Sequence, residues 1–282
     1  MGIKSIGRNI LGLAIASGFF LFGATAPAAS AEAPENLVAI GDSITADPAV
    51  DEWFPAWIGL QTPATAASPV GCPTSPNSYA KQAGDRLGLQ VDDYSCTGLS
   101  LTNPKTKSME ASVDQAVRDG ALNASTQRVI LTVGFNDTYT DGTREEKLER
   151  FLEEGTQQVN RIRAAAPHAR IQMVGYPTIS TDGGTVCPLH LVDSRLVPAP
   201  PVTVPVVEEF EDLAQEMQRS LATRTEIEFL DMKPDTRSTS MCGEDGVREY
   251  AGLIDTTGPV YHLPLHVNGR GHSHIASKIV GS

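Results

Sequence analysis

The sequence predicts an α/β fold built on a mainly parallel sheet with helices on both faces. Short apolar runs alternate along the chain with longer stretches of helical periodicity. This β-α-β-α rhythm is the one a parallel sheet requires, because each crossover must return the chain to the same sheet end. Composition agrees: of 282 residues, 40% are hydrophobic and 20% charged, an ordinary globular balance that excludes a disordered or fibrous chain.

The first strand is Leu37-Val38-Ala39-Ile40, an apolar run closed by Gly41. A helix follows over 77–87, with Tyr79, Ala80, Ala83 and Leu87 at helical spacing and Gly88 to stop it. The second strand is placed at 89–94 and the next helix at 109–117, with Met109, Val113, Ala116 and Val117 on one face. The third strand, 128–133, centres on Val129-Ile130-Leu131. A long helix over 143–166 carries Leu148, Leu152, Val159 and Ile162 on its apolar face, and Pro167 ends it. Strands at 170–175 and 227–230 and helices at 206–224 and 271–280 complete the pattern. The Pro-rich stretches 62–76 and 197–205 read as surface loops. Sites in parallel sheets form beyond the carboxyl ends of the strands. The loops beginning at Gly41, Ser95, Gly134 and Gly175 are therefore expected to converge on one crevice.

Residues 1–31 read as a secretory signal. Lys4 and Arg8 give a positive start, the apolar run 10–22 is short for a membrane span, and Ala29-Ser30-Ala31 is a small-x-small cleavage site. An uncleaved anchor is the competing reading. Cleavage after Ala31 is expected to leave a secreted single domain, 32–282, with no membrane span. That domain has 20 basic against 34 acidic residues, a net charge of −14. Such a surface offers nothing to neutralise phosphates, which argues against nucleic acid as a partner. All four cysteines, Cys72, Cys96, Cys187 and Cys242, fall in this domain. In an exported chain they read as disulfides, and pairing Cys72 with Cys96 and Cys187 with Cys242 closes the shortest loops. A zinc site is the alternative, without a C-x-x-C to support it.

The strand ends carry the chemistry. Gly41-Asp42-Ser43-Ile44 follows the first strand, Cys96-Thr97-Gly98-Leu99-Ser100 the second, and Gly134-Phe135-Asn136-Asp137 the third; His266-Val267-Asn268-Gly269 stands near the C-terminus. In order and spacing this set resembles the SGNH/GDSL hydrolase family, most closely its secreted actinobacterial lipases and esterases. The resemblance implies a three-layer α/β/α sandwich with about five parallel strands in a flavodoxin-like arrangement. It implies hydrolysis of small-molecule or lipid esters through an acyl-enzyme, with no cofactor or metal; a monomer is expected. It assigns Ser43 as nucleophile, His266 as general acid and base, and Gly98 and Asn136 as oxyanion donors beside the Ser43 N–H. The residue chemistry agrees. A serine hydroxyl needs a base to take its proton, and a histidine titrating near ~6.5 does so at neutral pH. Gly98 allows close backbone approach, and Asn136 is an uncharged donor with two N–H bonds.

In one respect the chain departs from the family. The Asp that stands three residues before the histidine is replaced by Leu263. The Leu263 carbonyl is expected to orient His266 instead, giving a Ser–His dyad; Asp255, the nearest upstream acid, is the alternative third member. Other readings compete elsewhere. Gly41-Asp42-Ser43 alone also fits a turn with a helix cap, and Asn136 a turn residue before Asp137. Trp53, Phe54 and Trp57 fit core packing better than a pocket lining. The set His262, His266, His272 and His274 lacks H-E-x-x-H spacing for a metal, and His168 and His190 read as surface residues. A carbohydrate O-deacetylase of the same fold and a non-catalytic binding module are the alternative functions.

Overall fold

The computed structural model describes residues 2, 34–58, 60, 66–191, 200–259 and 262–282, of which those from 33 onward form one compact unit. The secretory segment with its Ala31 cleavage site, and the loop parts 62–65 and 197–199, lie outside the described residues.

Five parallel strands form the central sheet among the described residues: β1 (Asn36–Gly41), β2 (Gln90–Asp93), β3 (Thr126–Thr132), β4 (Arg170–Val174) and β5 (Glu228–Leu230). Their order is β5-β4-β3-β1-β2, the doubly wound arrangement in which the chain reverses its direction of travel between β1 and β3. The register sets the carboxyl ends abreast: Gly41 faces Thr132, Leu131 faces Met173, and Leu230 faces Val174. The central strands β1, β3 and β4 bury both faces, while the edge strands β2 and β5 are partly exposed. On β1, Val38 and Ile40 enter one apolar cluster while Leu37 and Ala39 enter the other, as the two-residue side-chain period requires.

Helices cover both sides. On one lie α4 (Met109–Arg118), α5 (Arg144–Ala165) and α6 (Pro205–Thr225), which bury Met109, Val113, Phe151, Val159, Ile162, Met217 and Leu221 against the sheet. On the other lie α3 (Tyr79–Leu87) and the final helix α7 (Gly269–Gly281), with Tyr79, Ala83, Ile275 and Ile279 in the second cluster. Thr143 and Glu146 make a reciprocal capping box at the start of α5. Pro205 is the first residue of α6, one residue earlier than the periodicity predicts, because a proline is already shaped for that position. The short helices α1 (Ser43–Ala46) and α2 (Val50–Trp57) follow β1. Helix α2, which contains Pro55, is not foreseen in the sequence.

Both disulfides form as expected, Cys72 to Cys96 and Cys187 to Cys242. The first fastens loop 66–76 to the segment leaving β2. Part of the second Pro-rich stretch pairs instead of looping: Val202–Thr203 lies antiparallel to Thr185–Val186. No helix among the described residues is long and apolar enough to cross a membrane.

Candidate active site

The site lies beyond the carboxyl ends of β1, β2, β3 and β4, around the β1/β3 reversal. At the end of β1 the chain turns at once into α1. A Cβ on Gly41 would meet Thr45 Oγ1 at 2.0 Å, so only glycine allows that turn. Asp42 caps the helix, its carboxylate accepting the Ile44 N–H at 3.0 Å. Ser43 is thereby the first residue of α1.

His266 meets Ser43. Its Nε2 lies 2.8 Å from Ser43 Oγ and its Nδ1 2.8 Å from the Pro264 carbonyl oxygen. A carbonyl can only accept, so Nδ1 carries the proton, and in the neutral ring Nε2 is free to accept from the serine. The orienting carbonyl is thus that of Pro264, not that of Leu263 as the sequence predicts. Leu265 explains the difference. It adopts a left-handed conformation, φ 58°, and its N–H is held by the Gly252 carbonyl, while the Ala251 N–H holds the His266 carbonyl. This turn brings the 264 carbonyl to the ring and leaves the Leu263 side chain in the cavity wall. Asp255 is engaged elsewhere, its carboxylate accepting from the buried Arg248 guanidinium and from the Gly258 N–H. Burial of His266 holds its pKa below the ordinary 6.5; the Pro264 bond and the Asp47 charge oppose that, and His272 adds to it.

Gly98 and Asn136 line the same cavity as Ser43 and His266. Gly98 has φ 81°, and a Cβ there would meet nothing within 4 Å. Conformation, rather than the crowding expected from the sequence, is therefore what asks for glycine. The Asn136 Nδ2 donates one N–H to the Leu99 carbonyl at 3.0 Å. This ties the turn after β3 to the loop after β2 and leaves a second N–H on the same nitrogen. Asp137, buried, stitches the two loops further by accepting from the Leu101 N–H, the Thr102 N–H and the Thr102 hydroxyl; burial raises its carboxyl pKa to about 6.

Two further groups escaped the sequence reading. Tyr176, just past β4, donates its hydroxyl to Asp42 at 2.5 Å and accepts the Phe135 N–H at 3.1 Å. One buried phenol thus joins the ends of β1, β3 and β4. Burial pushes the Asp42 carboxyl up to about 7, with the Tyr176 bond pulling the other way. The second group is the Asp47–His262–His272 cluster behind α1. Tyr176 had a positional signal, since it follows Gly175 at a strand end; of the cluster, the sequence singled out the two histidines but gave no sign of Asp47 or of their meeting it.

The cavity measures about 570 Å³ and is walled chiefly by apolar side chains, including Val50, Trp53, Tyr139, Ile179, Met241, Tyr250 and Leu263. Trp53 is therefore a lining residue, contrary to the expectation of core packing, while Phe54 is 48% exposed; the Trp57 side chain lies outside what is described. His168 is exposed as expected, but His190 is largely buried, its Nε2 bonded to the Met241 carbonyl at 2.8 Å. Ser273 bonds Arg86 at an exposed position. Among the described residues, no group of His, Cys, Asp and Glu is arranged to hold a metal ion.

Residues 39–274 match the family model described as the GDSL-like lipase/acylhydrolase family. Among solved structures, the phospholipase A1 from Streptomyces albidoflavus NA297 superimposes with a TM-score of 0.55 at 18% identity, covering 88% of this chain and 99% of that one. An active-site mutant of a family two carbohydrate esterase from Clostridium thermocellum superimposes with a TM-score of 0.52 at 15% identity, covering 88% of this chain and 62% of that one. At these identities both likenesses show the shared fold. No curated protein sequence matches the chain.

Proposed function

Since the chain belongs to the GDSL-like lipase/acylhydrolase family and is a carboxylic ester hydrolase, we propose that it works through an acyl-enzyme on Ser43, with His266 as the general base and acid. The observation that carries this reading is the 2.8 Å contact between His266 Nε2 and Ser43 Oγ at the wall of a largely apolar cavity. In acylation Nε2 takes the serine proton as Oγ attacks the ester carbonyl, then gives it to the departing alkoxide. In deacylation it takes a proton from water, which attacks the acyl carbonyl, and returns it to Oγ as the acid leaves. The Ser43 and Gly98 N–H groups and the second Asn136 N–H serve the negative oxygen of each tetrahedral intermediate. The Pro264 carbonyl keeps the ring in the tautomer that can accept.

The apolar wall favours esters with an extended hydrocarbon acyl group over acetylated sugars, whose hydroxyls would find few partners among Val50, Ile179, Met241 and Leu263. Two disulfides support work in an oxidising compartment, in line with a cleaved leader at residues 1–31. One chain supplies both reacting side chains and the wall around them, which supports action as a monomer.

The test is an ester panel on wild type and Ser43→Ala. Release from p-nitrophenyl esters should rise with acyl length by about fourfold per buried methylene until the cavity is full, and Ser43→Ala should abolish it. Preference for acetylated xylan would select the deacetylase reading. Failure of a serine-directed phosphonate to label Ser43 would select a binding module.

A further inference from the structure

His266 belongs to a dyad whose third member is an uncharged carbonyl. The imidazolium that forms as Ser43 loses its proton therefore has no carboxylate at Nδ1. A buried carboxylate does sit close by, where no family motif places one. Asp47 is the residue that ends α1, one helical turn past the nucleophile: it is left-handed, φ 46°, and its N–H bonds the Ser43 carbonyl at 2.9 Å. Its side chain, 4% exposed, is gripped by two histidines. His262 Nδ1 lies 2.7 Å from Asp47 Oδ2 and 3.1 Å from the Asp47 carbonyl. Both of those atoms are acceptors, so Nδ1 donates. His272 Nδ1 accepts the Tyr79 N–H at 3.2 Å, so its proton sits on Nε2, 3.3 Å from Asp47 Oδ1. The residue four after the nucleophile therefore holds the residue four before the base.

We infer that Asp47 is a positioning residue for the Ser43–His266 pair: through His262 it fixes the base-bearing loop against the nucleophile helix, and its buried charge supports the imidazolium that the Pro264 carbonyl supports only weakly. This rests on the reading of Ser43 and His266 as nucleophile and base. Glu52 also acts on His262 electrostatically, and other titratable groups near the loop have partners of their own. Asp42 accepts from Tyr176, Glu249 pairs with His274, and Arg248 pairs with Asp255 and Asp245. Arg270 bonds the Arg248 carbonyl. The charge of Asp47 raises the His266 pKa, beneath the larger and opposite effect of burial. His262 also lines a separate cavity of about 280 Å³ with Asn77 and Gln82, which gives a small molecule access to its place.

The experiment compares kcat/KM and kcat against pH for wild type, Asp47→Asn, His262→Ala and Ser43→Ala on one p-nitrophenyl ester, with a thermal melt of each. Asp47→Asn keeps an acceptor for His262 and removes the charge. Its plateau kcat should fall about tenfold or more, and its acid limb should move to lower pH by about one unit, with KM unchanged. A purely structural role would lower the melting temperature without moving that limb. His262→Ala should lose about tenfold in kcat and regain most of it with added imidazole, which fits the opened cavity and restores the donor to Asp47. This second variant decides the matter if Asp47→Asn does not fold. An unmoved acid limb in a folded Asp47→Asn, or full kcat in His262→Ala, overturns the inference while Ser43→Ala remains inactive. Wild-type hydrolysis that survives Ser43→Ala overturns the underlying reading and the inference with it.

Discussion

Asn136→Ala separates two jobs of one side chain. The Nδ2 atom gives one N–H to the Leu99 carbonyl at 3.0 Å, and the other is assigned to the oxyanion; truncation removes both. The bond to Leu99 is neutral and partly buried, so its loss should cost about 0.5–1.5 kcal/mol of stability. For a domain of this size that is a fall of roughly 1–6 °C in Tm. The catalytic loss should be larger. An oxyanion donor meets full negative charge only in the transition state, and removing one costs about 10²–10³ in kcat, roughly 2.7–4 kcal/mol. Ground-state binding of the uncharged ester hardly uses the donor, so KM should stay within about twofold. Steady-state release from a p-nitrophenyl ester, with a thermal melt on the same preparation, measures both. A kcat within about fivefold of wild type beside a lowered Tm would show that the amide only ties two loops, and the oxyanion assignment would fall. A raised KM with kcat intact would place the amide in substrate binding instead.

His266 must be neutral to accept a proton, and burial holds its pKa below 6.5. The kcat/KM profile should therefore stay level from neutral pH down past that value before it falls; an acid limb centred above 6.5 would contradict this. The Cys72–Cys96 and Cys187–Cys242 bonds span 24 and 55 residues. Replacing each pair with serine should cost about 3.5 and 4 kcal/mol respectively, so the second replacement lowers Tm more, and the reverse order would refute the loop-closure account. Gly98→Ala has open space for its methyl group but a φ of 81°, a strain of about 1–2 kcal/mol. Turning the peptide relieves it and withdraws the N–H from the cavity, so kcat should drop with Tm nearly unchanged. A Tm loss with kcat intact would mean that the peptide stays in place.

The sheet was legible because its central strands are apolar on both faces and so stand out as runs; Leu37 to Ile40 and Val129 to Leu131 are the clearest. That Ser43, Gly98 and Asn136 share one crevice was readable from their places after successive strands, since the parallel topology puts those ends side by side. His266 depended on the resemblance. What stayed hidden depends on backbone turns and long-range meetings. Whether the 263 or the 264 carbonyl reaches the imidazole is decided by the left-handed Leu265, a residue type that gives no sign of that conformation. Asp47 and His272 meet although 225 positions apart in number, through the packing of α7 on α3. His190 was misplaced at the surface because its partner, the Met241 carbonyl, is a backbone atom with no sequence signature.

The greasy wall around Ser43 also bears on how a turnover finishes. The ester that enters is uncharged, whereas the acid released near neutral pH ionises within the site. The donors beside Ser43 can hold that carboxylate, but Val50, Ile179 and Met241 around them offer no hydrogen bond to replace the rest of its lost hydration. The polypeptide's formal charge of −12 repels it as well. Hydrolysis thus gives the guest a charge that the greasy part of the chamber cannot solvate, which favours its exchange for the next uncharged ester.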